Sequence, residues 1–192
     1  MIPQTNLKHI PVLSNEVLSF LDIKPTGKYL DGTCGLGGHS EQILSKLSQN
    51  GFLIGTDIDN QAISIAKATL KKVSSNFHIE KCSYSQFPKV LKKLNIDKVD
   101  GVLLDLGLSS LQLDSKDRGF SFMRDANLDM RFDLDSKIKA NDIINRSSEV
   151  ELADIMYHFG EEKMSRKISK NITKNRPINM VGELVEIIRI ST

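Results

Sequence analysis

Along the first hundred residues, short apolar runs alternate with segments of helical period. Tyr29 to Asp31 reads as a first strand, followed by a glycine-dense loop and a helix from His39 to Leu47. Gly51 marks the stop, and Phe52 to Thr56 is the second strand. Ala62, Ile65, Ala66, Leu70 and Val73 then recur at helical spacing. Phe77 to Glu80 is a third strand, Phe87 to Leu94 a short basic helix, and Gly101 to Asp105 a fourth strand. That last run is continuously apolar before its acid, the pattern of a strand buried on both faces of a parallel sheet. Ahead of these elements, Val17 to Leu21 has the look of a helix end. Four βα steps predict an open, doubly wound α/β sheet.

After Asp105 the pattern changes. Ser109 to Asp135 is polar, rich in Arg and Asp, and predicts loop. From Ala140 the period is helical. Ser148 and Glu151 form a capping box for a helix from Glu149 to Phe159, with Gly160 suited to its C′ position. A second helix covers Glu161 to Lys174. Pro177 interrupts, and Met180 to Ile190 is a third. The predicted organisation is an α/β part, residues 1–110, followed by a helical part, residues 111–192.

The loop Asp31-Gly32-Thr33-Cys34-Gly35-Leu36-Gly37-Gly38-His39-Ser40 carries the first chemical signal. Glycines between a strand and a helix let a ligand approach bare backbone. Asp57 closes the next strand about twenty positions on, where such folds hold the two hydroxyls of a ribose. Together they predict a nucleoside-containing cofactor. Gly35 and Gly37 fit a dinucleotide fingerprint, but Ser40 stands at its third glycine, and Gly38-His39 crowd the place a pyrophosphate would need. This favours S-adenosylmethionine over a nicotinamide dinucleotide. Asp31, Asp57 and Asp105 all end apolar strands, at the edge where doubly wound sheets bind ligands. Asp105 is the candidate catalytic group, able to accept a hydrogen bond from an exocyclic amine and assist its deprotonation.

Composition narrows the setting. The 192 residues, 40% of them apolar and 26% charged, are those of a soluble globular chain, and no stretch reaches the roughly twenty apolar residues of a membrane span. Two cysteines, Cys34 and Cys82, form neither a disulfide framework nor a metal motif, which points to a reducing, cytoplasmic compartment. A net charge of +2 says little by itself. Its distribution says more: Lys163, Arg166, Lys167, Lys170 and Lys174 share one face of the second late helix, either a solvated face or a track for a phosphate backbone. In Asp117 to Arg124, Arg alternates with Phe120 and Phe122, residues that could grip phosphate and stack on bases or plug a core.

His9-Ile10-Pro11-Val12-Leu13, the Asp31 to Ser40 loop, Asp105 to Asp114, Arg118-Gly119-Phe120-Ser121-Phe122 and Leu128-Asp129-Met130-Arg131 occur in that order. In these the chain resembles the bacterial and organellar RsmH (MraW) family of methyltransferases. The resemblance implies a Rossmann-like class I methyltransferase sheet with a helical insertion that serves substrate recognition after the fourth strand. It implies methylation of N4 of a cytidine in 16S (small-subunit) ribosomal RNA, with S-adenosylmethionine as cofactor and no metal. By position, Gly37, Gly38 and His39 would line the methionine end of the cofactor. Asp57 would take the ribose hydroxyls, and Tyr84, where the family usually has Phe, would lie near adenine. Asp105 and Gln112 would flank the sulfonium and amino-acid moiety. The implied partner is small-subunit ribosomal RNA in an assembled or nearly assembled 30S subunit, with no membrane, and a homodimer stays open. Ala126-Asn127 and Phe132 depart from the family's usual Gly-Pro and Met. Members of the family extend past the point matching Thr192, so the chain is expected to be C-terminally truncated within the insertion and to lack the last strands. A non-catalytic relative that binds S-adenosylmethionine or RNA without turnover is the alternative; a nicotinamide-dependent oxidoreductase is the third reading.

Overall fold

A computed structural model describes residues 11–192; His9 and Ile10 of the first motif lie outside the described residues. The chain divides into two compact units, residues 1–110 and 111–192.

The first unit runs α1 (Ser14–Leu21), β1 (Lys28–Asp31), α2 (Gly38–Lys46), β2 (Phe52–Asp57), α3 (Asn60–Leu70), β3 (Phe77–Lys81), a 3-10 turn (Tyr84–Gln86), α4 (Phe87–Lys93) and β4 (Gly101–Leu103). The strands are parallel, in the order β3-β2-β1-β4. Alternation along the strands splits the apolar residues between two faces. Tyr29, Leu53 and Ile79 pack with Ile43, Leu44, Ala66 and Leu70 from α2 and α3 on one face. Leu30 and Ile54 pack with Val90, Leu91 and Ile96 on the other. This is the doubly wound α/β sheet expected from the four βα steps. The strand order reverses between β1 and β4, and the crevice at such a switch point, beyond the carboxyl ends, is where these sheets take ligands.

The fourth strand corrects one expectation. Gly101 to Asp105 is not a strand buried on both faces. Only Gly101–Leu103 is extended, and it pairs with β1 alone among the described residues. Val102 is 47% and Leu104 45% exposed. Among the described residues β4 stands at one end of the strand order and its apolar run is exposed there, a difference that hydropathy alone does not record.

The second unit contains α5 (Ser110–Asp114, continuing the first unit's last residue), α6 (Ala140–Arg146), α7 (Glu149–Gly160), α8 (Ser165–Lys174) and α9 (Val181–Arg189). Its core gathers Leu128, Leu152, Ile168, Ile172, Ile178, Val181 and Ile187. The Ser148–Glu151 capping box forms as expected. The end of α7 differs: Gly160 stays helical, and Glu161 takes the left-handed turn at φ 53°, its N–H reaching Met156 O. The following helix accordingly starts at Ser165, not Glu161. The polar stretch before α6 is tied down by Arg118, which is buried and donates to the carbonyls of Arg131 (2.7 Å) and Phe132 (3.0 Å). Its charge thus serves the loop's own backbone instead of a phosphate. Phe120 meets Phe132 edge to face at 5.1 Å, whereas Phe122 is 76% exposed, so the two phenylalanines divide between core and surface.

Gly119 holds this loop closed. Its φ of +70° is left-handed, and a Cβ there would strike the Asn127 carbonyl. Gly119→Ala is expected to destabilise the protein by roughly 1–2 kcal/mol from the backbone conformation alone, with the clash adding to it. Urea unfolding followed by circular dichroism measures the loss; an unchanged midpoint would show that the loop can relax.

Candidate functional site

The glycine loop, leaving β1, is held by hydrogen bonds to two neighbouring strands, β2 and β4. Gly32 N–H donates to Leu103 O (2.9 Å), Cys34 N–H to Thr56 O (3.0 Å), and Thr56 Oγ1 to Gly32 O (3.0 Å). Gly37, at φ 88°, is the residue before α2, and a Cβ on it would lie 3.1 Å from Ala66 Cα. Glycine is needed there twice over, for the left-handed turn and for the close approach of α2 to α3. Gly32 is similarly enclosed, with Tyr84 Cβ 3.0 Å from where its own Cβ would stand. Tyr84 therefore lies over the exit of β1, half in solvent.

Three carboxylates converge on this loop. Asp31, at the end of β1, is 1% exposed. It accepts from Ser40 Oγ (2.6 Å) and from Thr33 N–H (3.1 Å). Burial raises its carboxyl from 3.8 to about 6, against those two hydrogen bonds, and the charges of Asp57 and Asp105 push in the same upward direction. Asp57, at the end of β2, accepts Gly35 N–H at 2.7 Å and Asp59 N–H at 2.9 Å. Asp105 follows β4 on the exposed side, its N–H donating to Thr33 Oγ1 at 2.7 Å. His39, buried in the first turn of α2, brings Nε2 to 3.7 Å from Asp105 Oδ2, a contact that becomes ionic when the imidazole is protonated.

Gly37, Gly38, His39, Asp57, Tyr84 and Asp105 all belong to this first-unit edge; Gln112 is buried on α5, counted with the second unit. Two further residues of the loop take structural roles in the site. Ser40, conspicuous in the sequence only as a missing glycine, is the buried donor to Asp31. Cys34 packs at 3.2 Å from Ser40 Oγ, and burial raises its thiol far above the ordinary range, so it is an inert filler beneath the loop.

The chemistry of the edge is that of a cation site. Three acids surround a loop whose helix already has an acid, Glu41, in its first turn. Asp57 and Asp105 would oppose a pyrophosphate at this edge, with Asp31 buried beneath them, whereas a positively charged ligand would be favoured there.

Parallel order, switch point and glycine loop together define a doubly wound, Rossmann-type ligand-binding unit. The model of the MraW methylase family matches residues 6–192. The chain belongs to that family. It is 50% identical over 184 residues to ribosomal RNA small subunit methyltransferase H of Caldicellulosiruptor saccharolyticus, covering 94% of this chain and 60% of that protein. The protein of the same name from Thermosipho africanus is 48% identical over 95% of this chain and 62% of its own length. That of Mycoplasma mycoides subsp. mycoides is 47% identical over 95% and 59%. The chain thus spans about 60% of the length of these curated relatives.

Proposed function

We propose that this chain binds S-adenosylmethionine at the carboxyl edge of its sheet and serves methylation of small-subunit ribosomal RNA, at N4 of a cytidine in 16S RNA. The observation that carries the cofactor reading is the acidic ring of Asp31, Asp57 and Asp105 around a glycine loop. S-adenosylmethionine brings a sulfonium and an ammonium, charges that suit this ring, and no phosphate that would oppose it. The names of relatives near 50% identity support the RNA substrate.

The residues present fit that cofactor. Asp57 would hold the ribose hydroxyls with the lone pairs left after binding Gly35 and Asp59. Gly37 and Gly38 would offer backbone, with His39 beside them, to the methionine end, and Tyr84 a ring face to adenine. Gln112, by resemblance alone, would reach the amino-acid moiety. When bound, the cofactor supplies an electrophilic methyl group. Asp105 would accept a hydrogen bond from the exocyclic amine of the target base, orient its lone pair toward that methyl group, and take up the proton the amine releases. His39 would hold the Asp105 carboxylate in place.

Calorimetry with S-adenosylmethionine, and NADH as control, tests the cofactor. Micromolar binding of the first and none of the second is expected; the reverse would make the site a dinucleotide one. Transfer of labelled methyl to unmethylated small subunits then tests the reaction, and binding without transfer would favour a non-catalytic role. Asp105→Asn is expected to lower transfer about ten- to a hundredfold, the loss of one charge-assisted hydrogen bond, with cofactor affinity changed less. Equal losses in both would reassign Asp105 to cofactor binding.

A further inference from the structure

Helix α8, with the sequence SRKISKNITK, contains four cations and no acid. Ile168 and Ile172 are buried with Ser165 and Ser169 on one side, and this stripe packs the helix into its unit's core. Arg166, Lys167, Lys170 and Lys174 are exposed on the opposite side, within about 100° of arc and along about 12 Å of axis. Lys163 extends the row at the N-terminal end. Among the described residues none of the five is paired with a carboxylate. Glu162, in the preceding turn, spends one carboxylate oxygen on Met164 N–H at 2.7 Å.

This arrangement works against the helix itself. The cations repel one another at i,i+3 and i,i+4 spacing, and Arg166 and Lys167 sit in the first turn, where the helix dipole disfavours positive charge. The N-terminal end of the row also follows a bare aromatic: Phe159, in the last turn of α7, is 87% exposed, four residues before Lys163. An exposed aromatic a few residues along the chain from an unpaired basic row supplies the two kinds of group that single-stranded nucleic acid uses, cations for its phosphates and a ring for an unstacked base.

We infer that the exposed face of α8, with Phe159, is a docking surface for single-stranded RNA. The inference rests on the ribosomal RNA reading above, which gives the chain an RNA to bind, but not on the cofactor site.

The test uses the full chain and a fluorescent single-stranded oligoribonucleotide of mixed sequence, titrated by anisotropy over a range of salt, with the same strand in duplex form and anionic phospholipid vesicles in parallel. The variant carrying Arg166→Gln, Lys167→Gln, Lys170→Gln and Lys174→Gln should fold as the parent does, since it alters only solvent-facing groups. It should bind RNA more than tenfold more weakly at low salt and flatten the log–log salt slope by up to about three, or about 0.7 for each phosphate no longer neutralised. Phe159→Ala should weaken single-strand binding at least about fivefold and leave the salt slope unchanged. An unaltered slope in the quadruple variant, no effect of Phe159→Ala, tighter binding of duplex than of single strand, or binding of vesicles in place of RNA would each overturn the inference. S-adenosylmethionine calorimetry on the same preparations keeps the two readings apart. Loss of the cofactor result with the RNA result intact would remove the cofactor site only, and the converse would remove this surface only.

Discussion

Asp57→Ala is expected to weaken S-adenosylmethionine binding by about 3 kcal/mol, two orders of magnitude in affinity. Two losses combine. The proposed ribose contact disappears, and with it the acceptor for Gly35 N–H at 2.7 Å, the bond that ties the glycine loop to the end of β2. Without that tie the loop must be ordered at the moment of binding, so its conformational entropy is charged against the ligand. Asp57→Asn separates the two effects. One side-chain oxygen remains, enough to accept Gly35 N–H and hold the loop, but the negative charge facing the hydroxyls is gone. An intermediate loss in the asparagine variant, with unfolding by urea unchanged in both, would support the double role. Full affinity in the alanine variant would remove Asp57 from the site.

The legibility of each element in the sequence depends on the kind of signal it leaves. β1, β2 and their helices are bounded by glycines and carry clean periodicity, so their positions and their parallel pairing can be read directly. The exposure of Val102 and Leu104 is not legible from their apolarity, since exposure depends on what lies beside a strand, which hydropathy does not record. The turn after α7 falls at Glu161, since its N–H reaches Met156 O whereas Gly160 is accommodated within the helix. The three carboxylates are visible as strand ends. Their differences are not: Asp31 is sealed by Ser40, nine residues away and one turn into a helix, a contact that no short motif encodes. Arg118 is opaque for a related reason. Its partners are backbone carbonyls of Arg131 and Phe132, and carbonyls leave no trace in a sequence.

Asp31 carries the other large effect, this time on stability. In the unfolded chain its carboxyl titrates near 3.8 and in the native state near 6. The native state therefore holds the proton more tightly, and the contribution from the neutral acid is fully present below pH 4 and lost as pH rises through 6. Near pH 7.5 the buried charge costs about 3 kcal/mol relative to a protonated group, at 1.36 kcal/mol per unit. Asp31→Asn removes that charge while keeping an oxygen for Thr33 N–H and an amide that can donate to Ser40 Oγ. The variant is expected to be more stable than the parent by up to about 3 kcal/mol at pH 7.5, with the difference vanishing toward pH 4. Urea unfolding of both proteins across that range measures it; a gap independent of pH, or a less stable variant at pH 7.5, would refute the assignment. The charge is costly to the fold and useful to the proposed ligand. A cation bound over the loop favours the ionised form of the buried Asp31 through space, so S-adenosylmethionine affinity should rise from pH 5 to pH 7 in the parent and fall at neutral pH in Asp31→Asn, a gain in stability set against a loss in binding.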